Sequence, residues 1–461
     1  MRPERHVSQS KTWEGLKVIH PHAAGLDIGS TEVWAAAPPD STAEPVQVFG
    51  TTTPDLLALA DWLKSCGADT VAMESTGVYW IPSYEILEAR GFEVCVVNAR
   101  HFKNAPGRKS DIQDCQWLQE LHSVGLLRGS FRPEAEIVAL RAYLRQRAEL
   151  IEHRAAHIQH MQKALAQMNV QLTQAVKDIT GVTGLSIIRA IVAGERNPQK
   201  LAALRQPGVK KTEVQIARAL SGNYRPEHVF ALKQALALYD FYTGQLAECD
   251  VEIERQFANM KPVDEDLPPL PPSDKTDSHS KNAPSYDARS HLYQMTGVDL
   301  MAISGLNAST VQTIISEIGS DLRAFPSEKH FCSWLGLAPH NDISGGKVLR
   351  SRTLKTHNRA GQAFRLAAQS ASRSPDTVFG AFYRRMKARL GGKQAIVATA
   401  HKIARAFYYM LKHREPFHDL GGEEYERRAR ERELRNLDKR AQKLGLKLVP
   451  VQITAVAPAV S

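Results

Sequence analysis

Cysteine is scarce in this 461-residue chain: Cys66, Cys95, Cys115, Cys249 and Cys332 are scattered, and no two form a C-x-x-C pair. That spacing excludes a disulfide framework and a zinc-binding ribbon, and it favours a reducing compartment. No apolar run approaches the roughly eighteen residues of a membrane span, so no membrane role is expected. The polar opening MRPERHVSQSKTWEG carries no signal-peptide core, which makes a soluble cytoplasmic protein the expectation. Phosphate-loop signatures are missing too. Neither SGGKV nor LGGKQ has the Walker A spacing, and no G-x-G-x-x-G follows the first strand, so ATP or dinucleotide chemistry is not expected.

What the chain does have is positive charge and ample apolar content. The formal net charge is +10 with a pI near 9.3, which favours a polyanionic partner. A hydrophobic share of 43% over this length supports about two to four domains with real cores.

Residues 17–130 read as α/β. The stretch AAGLDIGSTEVWAAAPP gives two strands around a Gly-Ser turn, and VQVFG supplies a third. TPDLLALADWLKSCG is a capped amphipathic helix, followed by strand DTVAMEST, a helix through IPSYEILEARG, and strand FEVCVVNA. A three-stranded meander followed by alternating helices and strands is the order of a ribonuclease H-like fold, with a doubly wound sheet as the competitor.

Residues 131–260 switch to helix. Over 134–178, Ile137, Leu144, Ile151, Ile158, Leu165 and Leu172 recur every seven residues, the signature of a coiled coil. Leu140, Met161 and Met168 fill intervening positions, and Arg147 and Arg154 interrupt them. A second heptad helix over 228–258 (Val229, Leu232, Leu236, Tyr239, Leu246, Ile253, Phe257) is its partner, within one chain or between chains. The Pro- and Ser-rich residues 261–287 read as a disordered or extended linker. A compact helical domain follows over 288–418, then a charged helical tail over 419–461. ISGLNASTVQTI, from Ile303, resembles a helix-hairpin-helix element whose turn amides bind phosphate; ordinary helical punctuation explains it equally well.

Two constellations carry candidate chemistry. In RKSDIQDCQWL, Ser110 fits an N-cap, so Asp111 and Asp114 lie one turn apart on one helix face, right after Arg108 and Lys109. The plainer reading is favourable helix-dipole charge. Asp27 sits within the first strand and Glu74 ends a buried one, positions where a charge is costly to bury alone. In a ribonuclease H-like sheet these two strands are neighbours and the last helix starts over them, so all four acids would converge. Such a cluster requires hard divalent cations, magnesium or manganese, and Arg108 and Lys109 would face the substrate backbone. The second constellation is basic. From Gly345 to Arg414 there are sixteen Lys or Arg against one acid, Asp376. Lys347, Arg350, Arg352, Lys355 and Arg359 are the candidate nucleic-acid contacts. Within it, Ser344-Gly-Gly-Lys347 reads more readily as a phosphate-cradling turn than as an exposed nucleophile.

Taken together, D-I-G at Asp27, E-S-T-G-x-Y at Glu74, K-S-D-x-x-D at Asp111 and Asp114, and a C-terminal G-L-x-P…S-G-G…G…R-L resemble the DEDD transposases of the insertion sequence 110 family, which also include pilin-gene invertases. The resemblance runs from about residue 20 to 415. It implies a RuvC-like domain, a coiled-coil connector and a helical C-terminal transposase domain. It also implies a magnesium-binding DEDD site at Asp27, Glu74, Asp111 and Asp114, with Ser344 forming a covalent 5′-phosphoserine link. Donor and target DNA, a guiding bridge RNA, and a dimer or tetramer with an active site composed from different protomers follow from the same likeness, as does a place in the cytoplasm at the nucleoid. The Pro-rich linker and the charged tail depart from the compact family pattern. A hydrolytic RuvC-like nuclease and a catalytically inactive nucleic-acid-binding protein are the rival readings.

Overall fold

The computed structural model describes residues 17–75, 77–98, 111–272, 280–353 and 358–449, with the Asp111 side chain excluded. The chain divides into two compact units after residue 132.

The first unit runs β1 (Ala23–Ile28), β2 (Glu32–Ala36), β3 (Val46–Gly50), α1 (Thr53–Ser65), β4 (Thr70–Glu74), α2 (Trp80–Ala89), β5 (Glu93–Val97) and α3 (Asp111–Ser123). Its five-stranded sheet has the order β3-β2-β1-β4-β5. The first three strands form an antiparallel meander, whereas β4 pairs parallel to both β1 and β5. This mixed order differs from the mostly parallel sheet of the doubly wound alternative. Helix α1 opens on a capping box between Thr52 and Asp55, with Pro54 early in the first turn.

Strand alternation sorts the sheet into two faces. Ala24, Leu26 and Ile28 of β1 and Val71 and Met73 of β4 pack with Leu56, Leu59 and Leu63 of α1 and Leu87 of α2. The other face takes α3, whose backbone lies almost on that of β1. A Cβ on Gly25 would stand 2.3 Å from the Cys115 carbonyl oxygen and 2.4 Å from the Gln119 amide nitrogen. Glycine is therefore required there for packing.

The second unit contains α4 (Ala135–Gln167), α5 (Leu172–Ala175), α6 (Val182–Val192), α7 (Pro198–Ala202), α8 (Glu213–Ala219), α9 (Pro226–Asn259), α10 (Ala288–Thr296), α11 (Ala308–Ile318), α12 (Glu328–Trp334), β6 (Pro339–Ser344), β7 (Lys347–Thr353), α13 (Arg359–Ala371), α14 (Val378–Leu390), α15 (Gly392–His413) and α16 (Gly422–Lys443). The expected long helix stops at Gln167, earlier than 178, because Asn169 takes a left-handed φ of 54°. Helices α4 and α9 pack antiparallel within the chain, with His153 stacked on Tyr242 at one level and Arg147 paired with Asp250 at another.

The two arginines that interrupt the heptads occupy a buried row, with Leu140 and Met161, while Leu144, Ile151 and Ile158 are half-buried. Their charges are matched there. Arg147 is clamped to Asp250 by two hydrogen bonds, and its remaining donors go to the carbonyls of Asn282 and Ala283, both at 3.1 Å. Arg154 donates to the Lys281 carbonyl at 3.1 Å and to Asn282 Oδ1 at 2.8 Å. Residues 280–287, expected inside a disordered linker, are thus held against the helix pair; the expected linker residues 273–279 lie outside the described ones. Tyr286 continues the strap by bonding Gln312 of α11.

The C-terminal part is built on an aromatic core of Phe331, Phe364, Phe407 and Tyr408. Gly305, in the expected helix-hairpin-helix turn, has φ of 94°, and a Cβ there would meet the Ala367 carbonyl oxygen at 2.3 Å. Its glycine serves close packing on α13. One departure from an all-helical expectation is the hairpin β6–β7. Its strands are exposed and mostly polar, with aliphatic residues only near the tip, so no sustained apolar alternation marked them in the sequence.

Candidate active site

Two of the four candidate acids, Asp27 and Glu74, come together at one end of the first sheet. Leu26 pairs with Met73 as the last register between β1 and β4, which leaves Asp27 and Glu74 as the next neighbours along the two parallel strands. Both belong to the α3-facing set: Asp27 alternates with Gly25, and Glu74 alternates with Ala72 and Thr70. Thr70 marks that face, because its hydroxyl lies 2.8 Å from Nε2 of His122 on α3. The same hydroxyl donates to the Glu93 carbonyl at 2.9 Å, so the histidine Nε2–H is the donor between them. Glu74 is 7% exposed.

Helix α3 runs back along β1. Gln119 reaches the Ala23 carbonyl at 3.2 Å, and the turn between Cys115 and Gln119 sits on Gly25. A helical turn of four residues advances about 6 Å and two strand residues about 6.6 Å, so the first turn of α3 comes level with Asp27. The electrostatics of Cys115 is consistent with that arrangement. Burial, with the Asp27 and Asp114 carboxylates adding to it, pushes the Cys115 thiol up to about 12. Asp27 and Asp114, 87 positions apart in the sequence, therefore act on one sulfur. The Asp111 backbone opens α3, while its side chain, and all of Arg108, Lys109 and Lys355, lie outside the described residues.

Asp27, Glu74 and Asp114 offer carboxylate oxygens alone, a donor chemistry that suits magnesium or manganese. Among the described residues no three His, Cys, Asp or Glu side chains are arranged to hold an ion. The donor chemistry fits a hard divalent cation, with the fourth acid beyond what is described.

The basic constellation is organised by the hairpin. Gly345 and Gly346 have φ of 54° and 75°, the left-handed pair that a two-residue type I′ turn demands. Ser344 pairs with Lys347, Asp342 with Arg350 and His340 with Arg352, while a bulge sets the shift between Asp342 and Ile343. One face of the hairpin therefore carries Ser344, Lys347, Arg350 and Arg352 together. His340 and Asp342 share that face, with His340 Nε2 and Asp342 Oδ1 3.8 Å apart. Sequence reading missed these two. Their i, i+2, i+4 spacing with Ser344 is a signal visible once the segment is known to be a strand. The opposite face is aliphatic at the tip, with Ile343 62% and Val348 56% exposed. Arg359 begins α13, behind Asn358, whose Oδ1 accepts the Gly361 amide at 2.8 Å.

Among the described residues no helix is long and apolar enough to cross a membrane. Two family models match the chain. One, described as a transposase, spans residues 24–170 and so contains Asp27, Glu74, Asp111 and Asp114. The other, described as the transposase IS116/IS110/IS902 family, spans 299–384 and contains Ser344, Lys347, Arg350, Arg352 and Arg359. A search of curated proteins returns no match. With two separate matches, both to transposases and each enclosing one of the two constellations, the chain belongs to the IS110 family of transposases.

Proposed function

We propose that this transposase cuts and rejoins DNA by two cooperating parts: a ribonuclease H-like, metal-binding DEDD site and a serine nucleophile on the β6–β7 hairpin. The observation that carries the reading is the placement of Asp27 beside Glu74 on the α3-facing side of the sheet, with Asp27 and Asp114 both raising the Cys115 thiol. Like charges drawn toward one end of the sheet would repel, and a bound cation would offset that repulsion.

Asp27, Glu74, Asp111 and Asp114 would hold magnesium or manganese, which when bound polarises a phosphodiester and offsets its charge. The Ser344 oxygen attacks phosphorus and gives up its proton, the new Ser–O–P bond forms as the P–O3′ bond breaks, and the departing 3′-oxygen takes up a proton in exchange. Lys347, Arg350 and Arg352 share the face of Ser344 and stabilise charge on the phosphate oxygens. Reversal by a second 3′-hydroxyl rejoins the strands without ATP, since the ester is kept in the phosphoserine. The acids and the serine belong to different units, and the family likeness supports their meeting between protomers of a dimer or tetramer, with a heptad-patterned coiled coil, α4 with α9, as the assembly element. Guidance by a bridge RNA, with donor and target DNA as partners, follows from the same likeness.

The test is a covalent trap. The protein is incubated with DNA spanning its element's ends, magnesium and the RNA that co-purifies with it, then resolved under denaturing conditions. A protein–DNA adduct is expected, absent with Ser344→Ala and with Asp27→Asn. Cleavage by Ser344→Ala at the wild-type rate, without an adduct, would instead indicate a hydrolytic nuclease.

A further inference from the structure

The charged tail lies outside both family matches, which end at residues 170 and 384. It folds back as α16 onto α14, with Ala429 buried against it and Arg384 bonded to Glu426 at 2.7 Å. Two open grooves flank this contact. One is lined by Arg385, Tyr425, Arg432, Asn436 and Arg440, and the other by Lys402, Tyr425, Arg428, Arg432 and Arg435. Arg432 stands between them.

The carboxylates on the rims are already engaged: Glu433 with Arg385 at 3.5 Å, and Glu431 with Arg427. Lys402, Arg432, Arg435 and Arg440 have no carboxylate partner among the described residues. Lys402 is the most constrained of these. Its ammonium lies 4.5 Å from the Phe382 ring centre and 4.3 Å from that of Tyr425. Burial, with the Arg432 and Arg405 guanidiniums adding to it, pulls its pKa down to about 8. A half-buried amine whose charged neighbours are cations lacks an anion.

We propose that these paired grooves between α14, α15 and α16 bind the phosphodiester backbone of a nucleic acid, through Lys402, Arg432, Arg435 and Arg440. The spacing fits that ligand. Arg432 to Arg440 covers about 12 Å of helix, the rise of three to four successive phosphates along one strand. The planar guanidinium fork also matches phosphate oxygens two at a time. The site is separate from the serine hairpin and adds a sequence-independent anchor to whatever that hairpin acts on.

The test is equilibrium binding of the full-length protein to a labelled 30-bp duplex DNA and to a single-stranded RNA of the same sequence, across a salt series. In Arg432→Gln/Arg440→Gln the slope of log affinity against log salt should become shallower by about 2 for duplex DNA, or by somewhat less if the RNA arm alone responds. Arg435→Gln should lower it by about 1, whereas Arg430→Gln, on α16 but outside both grooves, should leave it unchanged. A thermal melt equal to wild type shows that the exposed substitutions leave the fold intact. Wild-type affinity and slope for the double variant in both arms overturns the proposal, as does a variant that loses binding to polyglutamate alone, which would assign the grooves to an acidic protein. Because the readout is binding, a Ser344→Ala protein gives the same result, so failure here is distinct from failure of the serine chemistry.

Discussion

Gly25 on β1 and Cys115 on α3 touch backbone to backbone, with 2.3 Å between a Cβ built on the glycine and the cysteine carbonyl oxygen. That contact sets how closely the helix bearing Asp114 approaches the strand bearing Asp27. Gly25→Ala should force the two apart by about an ångström, lowering stability by roughly 1–3 kcal/mol and DNA cleavage by on the order of 100-fold. Denaturant melts and cleavage rates check both; wild-type cleavage by this variant would show that the spacing is not critical.

His122 should make the first unit acid-sensitive. Burial, reinforced by His20, lowers its pKa from 6.5 to about 4 in the folded chain. Between those values the unfolded chain binds the extra proton, so stability is full above pH 6.5 and falls as pH drops toward 4. The loss attributable to this group is about 2–3 kcal/mol. Urea unfolding of wild type and His122→Asn at pH 7 and pH 4.5 measures it: the variant should lose less on acidification, and equal losses would contradict the assignment.

Removing Asp250 leaves the buried Arg147 guanidinium without its counter-charge. Asp250→Ala should cost about 3–5 kcal/mol and free the strap, because Asp250 Oδ2 also accepts the Ser285 amide at 3.0 Å. Limited proteolysis should then cut within residues 280–287 faster than in wild type. An unchanged digestion pattern would mean that other contacts secure the strap.

The two faces of the hairpin should differ in what they tolerate. Arg350→Ala, on the face of Ser344, should slow adduct formation at least about 10-fold. Ser351→Ala, on the opposite face, should be close to wild type. Comparable losses at both positions would show that the strand alternation does not organise the reaction.

Metal dependence should follow the acids. Adduct formation should stop in EDTA and return with magnesium or manganese. Asp27→Asn and Glu74→Gln should not be rescued. Cleavage that persists in EDTA would remove the proposed role of the carboxylates.

Asp27 and Glu74 stand out in the sequence because a charge inside an apolar strand is costly, and the meander-then-alternation order makes their strands neighbours. The burial of Arg147 and Arg154 was not legible. A heptad reading considers one helix at a time, whereas their partners come from α9 and from a segment more than 120 residues away. The polar strands of the hairpin escaped for a related reason: exposed on both faces, they carry no apolar period, and the Gly-Gly turn alone does not distinguish a hairpin from a loose phosphate-binding bend. Gly25 looked ordinary because its requirement arises from a helix that begins 86 residues later.

The type I′ turn at Gly345-Gly346 has one more effect. With strand neighbours alternating sides, a single codon inserted at the tip, the two-residue turn being kept, would slip β7 by one and turn Lys347, Arg350 and Arg352 to the face away from Ser344. On the proposed serine chemistry, reactivity would then hinge on the parity of a loop, a counting rule that no inventory of side chains reveals.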